Sequence, residues 1–159
     1  MGETPEVQIE TVRDAESLAE VAAMFREYAD GLGFALDFQD FDRELRTLPG
    51  DYAPPQGVLF LARVNGRGAG CGGLRPLETG TCEMKRLFVR ASYRGQGIGR
   101  KLAFRLIEHA RSMGYRRMRL DTVPSMKTAL ALYRSMGFVE IPPYRFNPVR
   151  GAVYLELRL

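Results

Sequence analysis

From Val7 to Val12 apolar and polar residues alternate, the period of a half-buried strand. After Asp14, a good N-cap, Leu18, Val21, Ala22, Phe25 and Tyr28 recur at helical spacing, and Gly31 and Gly33 end that helix. Phe38, Phe41, Leu45 and Leu48 mark a second, short helix, and Pro49 to Gly57 reads only as a loop. Val58 to Val64 is mostly apolar, and Asn65-Gly66 is a strong hairpin signal. The return strand, Ala69 to Leu77, is weakened by Gly70, Gly72 and Gly73 and is expected to be bulged.

Glu78-Thr79-Gly80 turns into a strand from Thr81 to Val89, in which Lys85 and Leu87 share a parity. That breaks clean alternation and fits a bulge or a noisy short strand. A helix follows, with Ile98, Leu102, Leu106, Ala110 and Met113 on its apolar face and Gly114 as its cap. Arg117 to Val123 reads as a strand, Met126 to Met136 as a helix closed by Gly137, and Phe138 to Ile141 as a short strand. Pro142 to Gly151 is a proline-rich loop, and Ala152 to Leu159 alternates as a final strand. The order β-α-α-β-β-β-α-β-α-β-β, with no repeat or linker, predicts one mixed α/β domain over residues 1–159.

Composition narrows the class. Hydrophobic residues make up 45% and charged residues 26%, as in ordinary globular proteins. The net charge of +4 is a mild basic bias, short of the footprint of a nucleic-acid binder; it suits an anionic ligand as well as plain solubility. Cys71 and Cys82 sit in apolar runs without metal spacing, and read as two buried free thiols. His109 alone cannot form a metal site, and its place on the polar side of its helix reads as solvated. Met1 to Glu6 is short and polar, unlike a signal peptide, and no apolar run nears the roughly 20 residues that span a bilayer. A cytoplasmic protein with no metal, membrane or nucleic-acid partner is expected, and a homodimer is left open.

The candidate chemistry begins at Arg94-Gly95-Gln96-Gly97-Ile98-Gly99, between a strand and a helix. A helix start offers unpaired N–H groups and a positive dipole end, a ready site for phosphate. Arg100 and Lys101 lie in the first turn, where each cation is disfavoured by about 0.3–1 kcal/mol. With Arg90 and Arg94 close by, they read either as solvated charges or as the cradle of a bound polyanion. The segment is not a GxxxxGK[ST] loop, and a GxGxxG fingerprint begun at Gly95 would end on Arg100.

The segment resembles motif A of the GNAT superfamily of N-acetyltransferases, [RQ]xxGx[GA]. Cys82 to Val89 is similar to the family's fourth strand, and Ala129 to Phe138, with Tyr133 and the closing Gly137-Phe138, is similar to its motif B. The resemblance implies a central mixed sheet splayed in a V between its fourth and fifth strands, with helices on both faces. It implies acetyl-CoA as co-substrate, with pantetheine along Leu87, Phe88 and Val89. The pyrophosphate would sit on Arg94, Gly95, Gln96, Gly97, Ile98, Gly99 and Arg100. It implies Tyr133 as the acid that protonates the leaving thiolate and, as the general base, either Glu83, eleven residues before Arg94, directly or through a water, or a water chain in its place. Many members carry an asparagine seven positions before the tyrosine, where this chain has Met126.

The implied reaction is N-acetyl transfer to a primary amine of a small molecule or peptide, by direct attack in a ternary complex. The amine must be neutral to attack, since an ammonium has no lone pair. The developing oxyanion needs a donor, such as the backbone N–H of Leu87 or Phe88. No Ser-His-Asp or Cys-His set is available for a covalent route. The alternative is a non-catalytic acyl-CoA-binding sensor. Candidate acceptor walls are Phe34, Tyr52, Arg75, Tyr144, Arg145, Asn147 and Arg150.

Overall fold

In the computed structural model, which describes residues 6–33, 36 and 40–159, the opening alternation is strand β1 (Val7–Thr11). It leads into helix α1 (Ala15–Asp30), where Asp14 accepts from the Ser17 N–H at 2.7 Å as the N-cap. Helix α2 is Phe41–Thr47; Phe38, expected in it, lies outside the described residues. The proline-rich segment after it is not wholly irregular, because Gly50–Tyr52 forms a 3-10 turn that buries Tyr52. Then come β2 (Val58–Val64), β3 (Arg67–Glu78), β4 (Thr81–Val89), α3 (Ile98–Ser112), β5 (Arg117–Thr122), α4 (Lys127–Ser135), β6 (Val139–Ile141) and β7 (Val153–Arg158).

The strands form one mixed sheet in the order β1-β2-β3-β4-β5-β7-β6, with β4 and β5 the parallel pair. Alternation in β2 divides the core. Val58, Phe60, Ala62 and Val64 join a cluster with Ile98, Leu102 and Leu106 of α3 and Tyr133 of α4. Leu59 and Leu61 join Val21, Met24 and Phe25 of α1 on the other face. Both faces of β2 are therefore buried, and its sequence is an apolar run broken only by Arg63.

Strand β3 differs from its expected weakness: it is the longest strand, at 12 residues. Its glycines are needed for close approach. A Cβ at Gly72 would lie 2.9 Å from Leu106 Cδ1, and one at Gly73 would lie 2.7 Å from the Tyr52 ring. Packing against both faces outweighs the entropic penalty of glycine in a strand. Cys71 and Cys82 are buried free thiols, as expected. His109 departs from expectation. Half-buried, it packs edge-on to Phe60 at 5.6 Å, and burial, with Arg105 beside it, lowers its pKa.

Candidate active site

The site begins where two strands part. Strand β4 pairs with β5 only at Thr81, Cys82 and Glu83, opposite Arg117, Met118 and Arg119. Beyond Glu83 it pairs with β3 alone, so among the described residues its β5-facing edge carries no strand as far as Val89. The cause is visible in the other ladder. Between the pairs Cys71–Phe88 and Gly73–Lys85, β4 carries one residue more than β3. This bulge places Arg86 at φ 59°, in the left-handed region. That uncommon conformation for a bulky residue is held by its head group. Arg86 is 5% exposed, donates Nε and Nη2 to the two oxygens of Glu44 at 2.9 and 3.1 Å, and lies 5.1 Å from the Phe41 ring centroid. Burial alone would raise the Glu44 carboxyl, but the Arg86 hydrogen bonds and charge outweigh it and the net shift is downward.

The chain leaves β4 through a short 3-10 turn (Ala91–Tyr93) into the glycine segment. Gly95 and Gly97 take φ 82° and 77°, and Gly97 is the N-cap of α3 with no side chain capping the first turn. A Cβ at either glycine would meet nothing within 4 Å, so the space over the exposed helix start is open. Arg94 donates to the Val89 carbonyl at 3.1 Å, and Arg100 reaches Ser135 Oγ at 3.0 Å. Arg90 does not join this group: it pairs with Glu27 at 2.8 Å and donates to the Gly68 carbonyl.

A solvent-open cleft occupies the splay. Its walls are Met84 to Leu87 of β4, Leu120 to Thr122 of β5, Tyr28 of α1, and Met126 and Tyr133 at α4. Tyr133 is 7% exposed and packs on Phe138 at 5.7 Å; burial raises its pKa, so it carries its proton at neutral pH. Burial also raises the pKa of Tyr28 on the facing helix.

Beside the cleft, on the α1 face of the sheet, lies a layer of charge. Glu83 is fully buried, and its oxygens accept from Arg75 Nε at 3.0 Å, Tyr144 Oη at 2.7 Å and Arg145 Nη2 at 2.8 Å. Arg145 Nε is buried without a hydrogen-bond partner. Two residues beyond the last β4–β5 pair, Lys85 Nζ lies 3.8 Å from Asp121 Oδ1, and Asn147 donates to Asp121 Oδ2 at 3.1 Å.

The splayed parallel pair, the exposed edge leading to an open helix start, and a buried tyrosine on the opposite wall form an arrangement that other proteins share. A profile of the Acetyltransferase (GNAT) family matches residues 20–138. The chain belongs to the GNAT family. It is 36% identical to an uncharacterised N-acetyltransferase of Schizosaccharomyces pombe, over 96% of this chain and 95% of that one. An acetyltransferase of Streptococcus agalactiae superposes with a TM-score of 0.79 at 22% identity, covering 96% and 98% of the two chains. The Salmonella typhimurium protein yncA, solved with acetyl-CoA, superposes at 0.69 with 21% identity, covering 96% and 93%. This GNAT protein is therefore an acetyl-CoA-dependent acetyltransferase, and its sheet and helices follow the family architecture.

The expected site residues fall into two groups. Leu87, Phe88 and Val89 lie on the free stretch of β4, and Arg94 to Arg100 form the turn at its end, so these positions make one continuous track. Tyr133 faces that track across the cleft, whereas Glu83 lies one layer to the side, inside its cage of donors. Of the acceptor candidates, Arg75, Tyr144 and Arg145 gather on Glu83, Tyr52 donates to Glu44 at 3.3 Å, and Asn147 holds Asp121. Arg150 is exposed, and Phe34 lies outside the described residues. Sequence reasoning missed Tyr28, Glu44, Lys85 and Asp121. A lysine within a mostly apolar strand was the signal for Lys85; the other three had none. Among the described residues there is no metal-binding cluster and no helix long and apolar enough to cross a membrane.

Proposed function

We propose that residues 1–159 act as one domain that transfers the acetyl group of acetyl-CoA to a primary amine of a small molecule or peptide, by direct attack in a ternary complex. The observation that carries this reading is the position of Tyr133 on the wall of the splay, facing the unpaired edge of β4. A long, amide-containing arm is well held by main-chain hydrogen bonds, as an added strand would be. Leu87, Phe88 and Val89 supply those bonds, and the open helix start with Arg94 and Arg100 takes the pyrophosphate. The amine enters from the charged layer and attacks the thioester carbon. A backbone N–H of Leu87 or Phe88 stabilises the oxyanion, and Tyr133 donates its proton to the departing sulfur.

Glu83 is the base suggested by sequence. In its present setting its oxygens are taken by Arg75, Tyr144 and Arg145, so it does not meet the amine directly. The pH–rate profile of Glu83→Gln tests that role: an acidic limb and rate equal to wild type remove it. The reading as a whole is tested by release of coenzyme A thiol over a panel of amino acids, polyamines, aminoglycosides and peptide N-termini. Amine-dependent release supports acetyl transfer, and its absence with every class overturns the reading.

A further inference from the structure

The chain meets its need for positive charge almost entirely with arginine: 20 of its 23 basic residues are Arg and only Lys85, Lys101 and Lys127 are Lys. Lys101 and Lys127 are exposed. Lys85 alone is buried, at 5% exposure, on the floor of the cleft. Arginine holds its proton throughout the physiological range, whereas a buried lysine can give its proton up. The position is equally specific. Glu83 and Arg119 are the last pair that β4 and β5 make, and Lys85 and Asp121 are the next residues of the same parity on each strand. They face one another at 3.8 Å where the strands open, in the cleft that Tyr133 also lines.

We propose that Lys85, positioned by Asp121, is the general base that removes the proton from the acceptor ammonium. The inference rests on the acetyl-transfer reading above. Burial pushes Lys85 down to about 8, so about a tenth of it is neutral at pH 7 and about half at pH 8, far more than for a lysine at its ordinary value of about 10.4. Among the described residues, the groups around it include Glu83 and Arg86 on its own strand, Arg75 on β3, Asp121 on β5, Glu44 on α2, Tyr28 on α1 and Tyr133 on α4. Tyr144 and Arg145 stand behind Glu83, and Asn147 behind Asp121. The two acids Glu83 and Asp121 favour the protonated lysine, while Arg86 and Arg75 oppose it. This balance lets a proton arrive and leave.

The ammonium gives one proton to the Lys85 amine. The freed lone pair bonds to the thioester carbon, and the C–S bond breaks. Tyr133 protonates the sulfur and recovers a proton from the new amide nitrogen, and Lys85 releases its proton to solvent. Glu83, caged by its three donors, holds Arg75 and Arg145 at the wall instead.

The test uses Lys85→Met and Lys85→Arg with the best amine of the acceptor panel, alongside ¹⁵N NMR titration of the lysine Nζ in wild-type protein saturated with coenzyme A. With only three lysines, Lys85 is assigned by its absence from either variant. Both variants are expected to lose about 10²–10⁴-fold in turnover and the acidic limb near pH 8, while binding coenzyme A as wild type does. The Lys85 resonance is expected to titrate near pH 8. Wild-type turnover or an unchanged acidic limb in Lys85→Arg would show a charged strap between strands and overturn the proposal, as would a Nζ that titrates above about 10, the ordinary lysine value. Should no amine release thiol, the acetyl-transfer reading fails on its own, and the titration, which needs no acceptor, still decides whether Lys85 has the acidity proposed.

Discussion

The two sides of the cleft are built from different materials. The coenzyme side is backbone: the unpaired edge of β4, two glycines at positive φ and a helix start without a side-chain cap. The acceptor side is side chain: Glu44 with Arg86, Glu83 with Arg75, Tyr144 and Arg145, and Lys85 with Asp121. A backbone site grips a ligand common to a whole family and leaves few side chains to change. A charged layer held by mutual contacts fixes what enters from the other side, and each member depends on the rest. Substitutions on the coenzyme side should therefore cost affinity, and those on the acceptor side should cost stability first.

The largest effect expected is at Glu44. Glu44→Ala leaves the Arg86 guanidinium buried without its carboxylate, and removing one partner of a buried pair costs about 3–5 kcal/mol. Urea unfolding measures it. A loss below about 1 kcal/mol, the scale of exposed pairs, would mean that the acceptor side is not the coupled layer described. The next effect is at Gly97. Gly97→Val sets a β-branched residue at φ 77° and fills the open space over the helix start. Coenzyme A affinity, measured by calorimetry, should fall about 10²-fold, about 2.8 kcal/mol. Left-handed strain adds about 1–2 kcal/mol to the stability cost, less than at Glu44. Unchanged affinity in a folded protein would break the comparison from the coenzyme side.

The same division explains what was legible in the sequence. Asn65-Gly66, with φ values of 50° and 79°, read as a hairpin turn, and β2 and β4 began and ended where their patterns did. Gly97 before a periodic apolar run marked the start of α3. These are local signals, carried within a few residues. The charged layer has no such signal, because its partners lie far apart in the chain: Arg86 and Glu44 by 42 residues, Tyr144 and Glu83 by 61, Arg145 and Glu83 by 62. Glu83, Arg75, Tyr144 and Arg145 could each be named as candidates, but the convergence of the last three on the first could not be read. Strand β3 was misjudged as weak for a related reason: the leucine and tyrosine that require its glycines come from other elements.

The most direct test of acetyl transfer at the splay is turnover of wild type against Tyr133→Phe, with the best amine of the panel and saturating acetyl-CoA. The substitution keeps the ring that packs on Phe138 and removes only the oxygen. Turnover is expected to fall by roughly 10²-fold if the phenol protonates the leaving sulfur, with coenzyme affinity and stability nearly unchanged. Equal turnover in the two proteins would return Tyr133 to the core and contradict the account.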